Sequence, residues 1–242
     1  MSFSAHAASL INICDRGDLG VAIAKSLGAS SCQEVSSEDL AQLQFLKTEA
    51  VLTDIPANGF VGLDSLRSLV LDSNSIKRIH PGAFNGLQSL QELSLQNNQL
   101  VHLPAFMLEP LKNLRRLQLQ GNQLRQMSRG VFRGARSVVT IDLENNRISQ
   151  IEQGALAGLS SMQVLNLRGN NLAVLTKAGL AGASALKTLI VDANRIESIE
   201  PGALTLPNLS QLDIHENPLK EISRHQTGLI PDAYVGGVKV NP

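Results

Sequence analysis

LQELSLQNNQLVHL (Leu90–Leu103), LRRLQLQGNQLRQM (Leu114–Met127) and MQVLNLRGNNLAVL (Met162–Leu175) follow one pattern, L-x-x-L-x-L-x-x-N-x-L-x-x-L. The pattern opens at Leu66, Leu90, Leu114, Val138, Met162, Leu186 and Leu209, in steps of 24 residues except the last, which is 23. The second half of each step resembles IHPGAFNGLQS (Ile79–Ser89), with an apolar residue at Phe84, Leu108, Phe132, Leu156, Leu180 and Leu204. An earlier, degenerate copy starts near Leu43; it keeps Leu52, Ile55, Pro56, Phe60 and Leu63 but has Ala50 where asparagine would stand. Leucine makes up 39 of the 242 residues, well above ordinary usage, and the repeat accounts for the excess.

Each position has a physical reason. In L-x-L the apolar residues alternate, so Leu93 and Leu95 share one face while Glu92, Ser94 and Gln96 share the other. One such strand cannot bury its apolar face alone; stacked coils can, with their strands paired in parallel about 4.8 Å apart. The asparagine column (Asn74, Asn98, Asn122, Asn146, Asn170, Asn194, Asn217) falls where the chain turns away from the strand. Its amides offer donors and acceptors to backbone groups that the turn leaves unpaired. The Phe/Leu column packs the wider, convex side.

Seven copies in register resemble the leucine-rich repeat family in its 24-residue form. The expected fold is α/β: a right-handed solenoid with a concave parallel sheet, a helical N-terminal cap and an irregular C-terminal cap. The expected divisions are a cap over 1–45, repeats over 46–222 (one degenerate, seven regular) and a C-terminal cap or tail over 223–242.

A stack of coils needs polar ends. DLGVAIAKSLG places Leu19, Ala22, Ile23 and Leu27 on one helical stripe with Gly28 as the stop, and SSEDLAQL supplies Ser36 as N-cap with Asp39 three residues on. Leu40 and Leu43 form the apolar pair of that second helix. Helix, link, helix, then repeats resembles the cap of internalin-type bacterial surface proteins. Cys14 and Cys32 flank the first helix. A disulfide tying the cap of an exported protein is the favoured reading, and two reduced core thiols in a cytosolic protein are the alternative. Vertebrate extracellular members of the family usually carry four-cysteine caps, which this chain lacks, so the resemblance points to a bacterial source. At the other end, Leu229, Ile230, Tyr234, Val235, Val238 and Val240 are candidates to cover the last coil, in a segment rich in glycine and proline.

The 21 basic and 21 acidic residues cancel, tryptophan is absent and tyrosine occurs once, which argues against nucleic acid as a partner. No apolar run approaches the length of a membrane span, and the opening MSFSAHAASLINIC lacks the charge and apolar order of a secretory signal. No metalloprotease, hydrolase-elbow or nucleotide-loop motif occurs, and His6, His80, His102, His215 and His225 are scattered. The chain is therefore expected to be no enzyme and to hold no metal or cofactor. Asn208-Leu209-Ser210 matches a glycosylation triplet only by accident, because Leu209 opens a repeat.

The concave face remains. Its candidate partner-binding residues are Arg116, Gln118, Gln120, Asp142, Glu144, Asn166, Arg168, Asp192, Asp213 and His215. Asp142, Glu144, Asp192 and Asp213 make its far half acidic, Lys112, Arg115 and Arg116 form a small basic area, and no aromatic anchor is apparent. The family resemblance implies a secreted or surface-exposed module that recognises a host or neighbouring-cell protein. A self-associating scaffold, dimerising through the open end or C-terminal segment, and a carbohydrate-associated targeting domain are the alternatives. A polar face is also what any one-sided sheet needs to stay soluble.

Overall fold

A computed structural model of the protein describes residues 13–48, 52–229 and 234–241, leaving aside the side chain of Gln226. His6, Ala50 and Ile230 lie outside the described residues. Nine short strands form one parallel sheet in sequence order, running Phe45–Lys47, Ser68–Val70, Glu92–Ser94, Arg116–Gln118, Thr140–Asp142, Val164–Asn166, Thr188–Ile190, Gln211–Asp213 and Tyr234–Gly236. The middle residue of each strand from Phe45–Lys47 to Gln211–Asp213 is buried and, apart from Ser94, its flanking residues are more open, as at Thr140-Ile141-Asp142. On the far side of the coils, two-residue strands pair neighbours, for example Gln126–Met127 with Gln150–Ile151. The apolar columns fill the space between in one continuous core, where the Phe60 and Phe84 rings stack at 5.8 Å.

The asparagine column is buried through most of its length. Asn122 Oδ1 accepts from the Leu100 N–H at 3.1 Å, and its amide donates to the carbonyls of Leu95 at 2.9 Å and Leu119 at 3.0 Å. Leu95 and Leu119 carbonyls also accept from Asn98 and Asn146, so each carbonyl serves two coils. At the first coil Thr48 stands in the strand's second apolar position, and its Oγ1 accepts from Asn74 at 3.1 Å. The residue before each asparagine sits at positive φ; at Gly121 and Gly169 a Cβ would also run into the preceding Asn97 or Asn145 amide.

The N-terminal cap is helical over Asp18–Ser26 and Ser37–Gln42, with Ser36 and Asp39 in a reciprocal capping box. Leu19, Ala22 and Ile23 are buried, while Leu27 and Leu43 pack partly buried against the core. Gly20 passes so close to the Ile13 carbonyl that a side chain would not fit. Arg16 donates to the carbonyls of Gly59 at 2.8 Å and Val61 at 2.7 Å, fastening the cap to the first coil. Cys14 and Cys32 are disulfide-bonded, with Cα atoms 5.3 Å apart.

The C-terminal segment differs from the irregular cover that its glycines suggest. After the short helix Arg224–Thr227, Tyr234–Gly236 joins the sheet as its ninth strand, and Lys239–Asn241 pairs with Glu221–Ser223. It is a shortened coil. Gly237, at φ 99°, turns the chain against His215, so the outer strand starts five residues after the inner one instead of ten. Leu229 is buried, but Tyr234 points outward and does not cover the coil beneath. A second difference lies at the first coil. Phe45 pairs with Ser68, a step of 23, whereas Asp54 pairs with Arg78, a step of 24.

Candidate functional site

The outward residues of the sheet form three columns, one residue per coil. The first runs from Phe45 through Ser68, Glu92, Arg116, Thr140, Val164, Thr188 and Gln211 to Tyr234. The second includes Ser94, Gln118, Asp142, Asn166, Ile190 and Asp213. The third begins where the chain leaves the strand and carries Asp72, Gln96, Gln120, Glu144, Arg168, Asp192 and His215 at the repeat spacing.

A one-way relay of amides runs along the third column. Asp72 accepts from the Ser94 hydroxyl, from the Gln96 N–H at 3.2 Å and from the Gln96 side-chain amide at 2.6 Å. Gln96 Oε1 in turn accepts from Gln120 Nε2 at 2.7 Å. All donors point back towards Asp72, which leaves Gln120 Oε1 buried with no hydrogen-bond donor among the described residues. Its successor in the column is Glu144, another acceptor.

Asp142 and Glu144 meet here. Asn166 Nδ2 donates to Asp142 Oδ1 and to Glu144 Oε2, both at 3.2 Å, and the Glu144 N–H donates to Asp142 Oδ1 at 3.0 Å. Arg168 stands 4.0 Å from Glu144. Burial, reinforced by the Glu144 charge, holds the Asp142 carboxyl above the usual carboxylate range despite those two hydrogen bonds. The centre of the face therefore collects acceptors with too few donors.

The four acids proposed for the far half do not form one cluster. Asp213 lies three strands from Asp142, roughly 14 Å, with Asn166 and Ile190 between. That exceeds the screening length of about 8 Å at physiological salt. Asp192 instead accepts from the His215 N–H at 2.8 Å, and Asp213 from Gln211 Nε2 at 2.7 Å. Arg116 pairs with Glu92 at 2.6 Å in the open, a contact of little energetic weight. Gln118 lies next to Asp142 in the second column.

Two aromatic residues belong to the face, where the repeat pattern offers no aromatic anchor. Phe45 and Tyr234 are 55 % and 62 % exposed, at opposite ends of the first column. The signal for Phe45 was the 23-residue step, which turns Leu46 inward and its neighbour outward. Asn208 of the glycosylation triplet is exposed, but its amide donates to the Ser184 carbonyl at 2.8 Å. Among the described residues no His/Cys/Asp/Glu group has the arrangement of a metal site, and no helix is long and apolar enough to cross a membrane.

The leucine rich repeat family model matches residues 50–100, 64–124, 112–172 and 184–229. Opticin from Mus musculus is 37 % identical over 84 residues, which is 32 % of this chain and 26 % of opticin. A chain of the TLR13–ssRNA13 complex superposes with a TM-score of 0.75 at 25 % identity, covering 82 % of this chain and 30 % of that one. Internalin C2 from Listeria monocytogenes str. 4b F2365 superposes with a TM-score of 0.70 at 24 % identity, over 97 % of this chain and 98 % of that one. The protein thus spans under a third of the first two relatives. The likeness to internalin C2 is one of fold.

Proposed function

Because this chain belongs to the leucine-rich repeat family, we propose that it is a non-enzymatic recognition module that binds a protein partner through its concave face. The observation that carries this reading is the excess of acceptors at Gln120, Asp142 and Glu144. A buried acceptor without a donor, beside two carboxylates, costs free energy in the isolated protein. A lysine or arginine from a partner would neutralise both acids and draw donors into this acceptor-rich centre. Arg116, Gln118, Asn166 and Arg168 would then surround the contact, with Asp192, Asp213 and His215 outlying. Phe45 and Tyr234 are the apolar candidates at its ends.

The disulfide supports an oxidising compartment, so the module is a secreted or cell-surface one. A bacterial protein contacting a host or neighbouring cell is favoured by the helical cap. A self-associating scaffold is the second reading. It draws on the last strand, Tyr234–Gly236, which has a neighbour on one side only in the nine-stranded sheet.

Asp142→Lys with Glu144→Lys tests the reading. Host or prey extracts are passed over immobilised wild-type and variant protein, and association of any captured partner is timed at two salt concentrations. The variant is expected to fold, to associate more slowly, and to differ less from wild type as salt rises. Unchanged association would move the site to the convex loops or to the segment from Ser223.

A further inference from the structure

Seven of the chain's 21 basic residues, one lysine and six arginines, fall between Glu109 and Asp142, and no carboxylate lies among them. From Lys112 to Arg136 they span one repeat length of a protein whose overall charge is zero. Arg116 is taken up by Glu92, and Arg133 lies 5.2 Å over the Phe106 ring and 3.9 Å from Glu109. The cations on the edge where the chain enters the strands are different. Arg67, Lys112, Arg115 and Arg136 are exposed and have no ion-pair partner among the described residues.

These four are held in register by the backbone. The Gln91 N–H donates to the Arg67 carbonyl and the Arg115 N–H to the Gln91 carbonyl, each at 2.8 Å. Arg67 and Arg115 therefore stand two coils apart, about 9.6 Å, with Gln91 between them. The Ser137 hydroxyl donates to the Lys112 carbonyl at 2.7 Å, which sets Arg136 one coil beyond Lys112. Between Arg67 and Arg115 lies a shallow pocket completed by Ser89, Gln91 and Asn113, and lined by no carboxylate. An adjoining pocket shares Gln91 and Arg115 and contains Glu92, the acid already engaged by Arg116. Asp64 heads the Lys112 column two coils away, at the rim of the edge.

We propose that this edge, from Arg67 through Lys112 and Arg115 to Arg136, is a second binding site, for a linear sulfated polysaccharide. A guanidinium donates two parallel N–H bonds to two oxygens of a sulfate, and serine and amide groups serve both sulfate oxygens and sugar hydroxyls. Cations repeating along a stack suit a ligand whose anions repeat along a chain. The edge offers no aromatic platform for nucleic-acid bases, since Phe106 already lies under Arg133. Of the residues lining the adjoining pocket Val139 alone is aliphatic, too little for a protein anchor. The site is independent of the concave-face contact.

The test uses heparin-derived oligosaccharide, its desulfated counterpart and a single-stranded RNA of matched length, each titrated into the full chain by calorimetry. The sulfated oligosaccharide is expected to bind with an affinity that falls steeply with salt, and the desulfated one not to bind. Arg67→Gln, Arg115→Gln and Arg136→Gln together should weaken binding by roughly tenfold or more and flatten the salt dependence. A charge-matched control, Lys177→Gln with Arg195→Gln and Lys220→Gln, should bind within about twofold of wild type, because screening over about 8 Å makes distant charges minor. The substituted side chains are exposed, so unfolding midpoints should be unchanged; were the triple variant to unfold early, Arg115→Gln alone carries the comparison. No binding by the wild type at physiological salt, equal loss in the control, or tighter binding of the RNA would each overturn the proposal.

Discussion

Replacing Asn122 separates the hydrogen-bonding role of the asparagine column from simple space filling. The side chain accepts from Leu100 N–H and donates to the Leu95 and Leu119 carbonyls. Those carbonyls keep a second donor, from Asn98 and Asn146, so removing the amide orphans one group, the Leu100 N–H. An unsatisfied buried N–H costs about 1–3 kcal/mol, and each carbonyl's lost second bond adds about 0.5 kcal/mol. Asn122→Ala opens a small polar space, and a water there would find three partners, which puts its loss near the low end, about 2 kcal/mol. Asn122→Leu fills the space with apolar atoms and excludes that water, so its loss should be larger, about 3–4 kcal/mol. Urea denaturation followed by circular dichroism, with both variants compared at fixed protein concentration, reads the difference. A leucine variant as stable as wild type, or more stable than the alanine variant, would refute the reasoning: burial of apolar volume would then outweigh the hydrogen bonds.

Two further outcomes follow from the site and the cap. The Asp142 carboxyl has a raised folded-state pKa, so its contribution to stability is full at low pH and is lost as pH rises from the unfolded carboxylate value, about 3.9, through the folded one. Asp142→Asn keeps one oxygen for Glu144 N–H and the Asn166 amide and should therefore stabilise at pH 7, by on the order of 0.5 kcal/mol after screening, with the gain vanishing below about pH 4; destabilisation at both pH values would contradict this. Reducing Cys14–Cys32, or substituting both by alanine, opens a loop spanned by a sequence separation of 18 and should destabilise the cap by about 3 kcal/mol. Hydrogen exchange should then accelerate over Asp18–Gln42 while the central repeats stay protected, and an unchanged cap would show that Arg16 and the apolar contacts suffice.

The solenoid was legible because its determinants are local and repeated. Leu93, Leu117, Ile141 and Leu165 are inward because strand geometry alternates, whatever surrounds them, and the same offset recurs in every copy. The N-terminal helices were legible for a similar reason, since an apolar stripe and a Ser36/Asp39 box act within a few residues. The final coil was harder to see. Its glycines spoke for irregular chain, and Gly237 does make an irregular turn, but Tyr234–Gly236 takes a strand because the edge of Gln211–Asp213 offers it hydrogen bonds. Likewise, Phe45 faces outward only because its strand pairs with Ser68–Val70 one residue short of the regular step.

From the sequence alone came the repeat, the identity of the core, the outward-facing residues of the regular coils and the pair of cysteines that flank the cap's first helix. All of these depend on short-range periodicity, which stereochemistry converts directly into faces. Tertiary structure alone decided how those faces are populated. It separated Asp213 from Asp142 by three strands, while joining Asp142 to Glu144 through one shared Asn166 amide. It oriented the Gln96 and Gln120 amides towards Asp72 and left Gln120 Oε1 without a donor among the described residues. It also aligned Arg67 with Arg115 across an intervening coil. Distances between residues 24 or 48 positions apart are set by how coils stack, and burial by what the neighbouring coils cover, so neither the deficit of donors nor the row of cations exists until the chain has closed on itself.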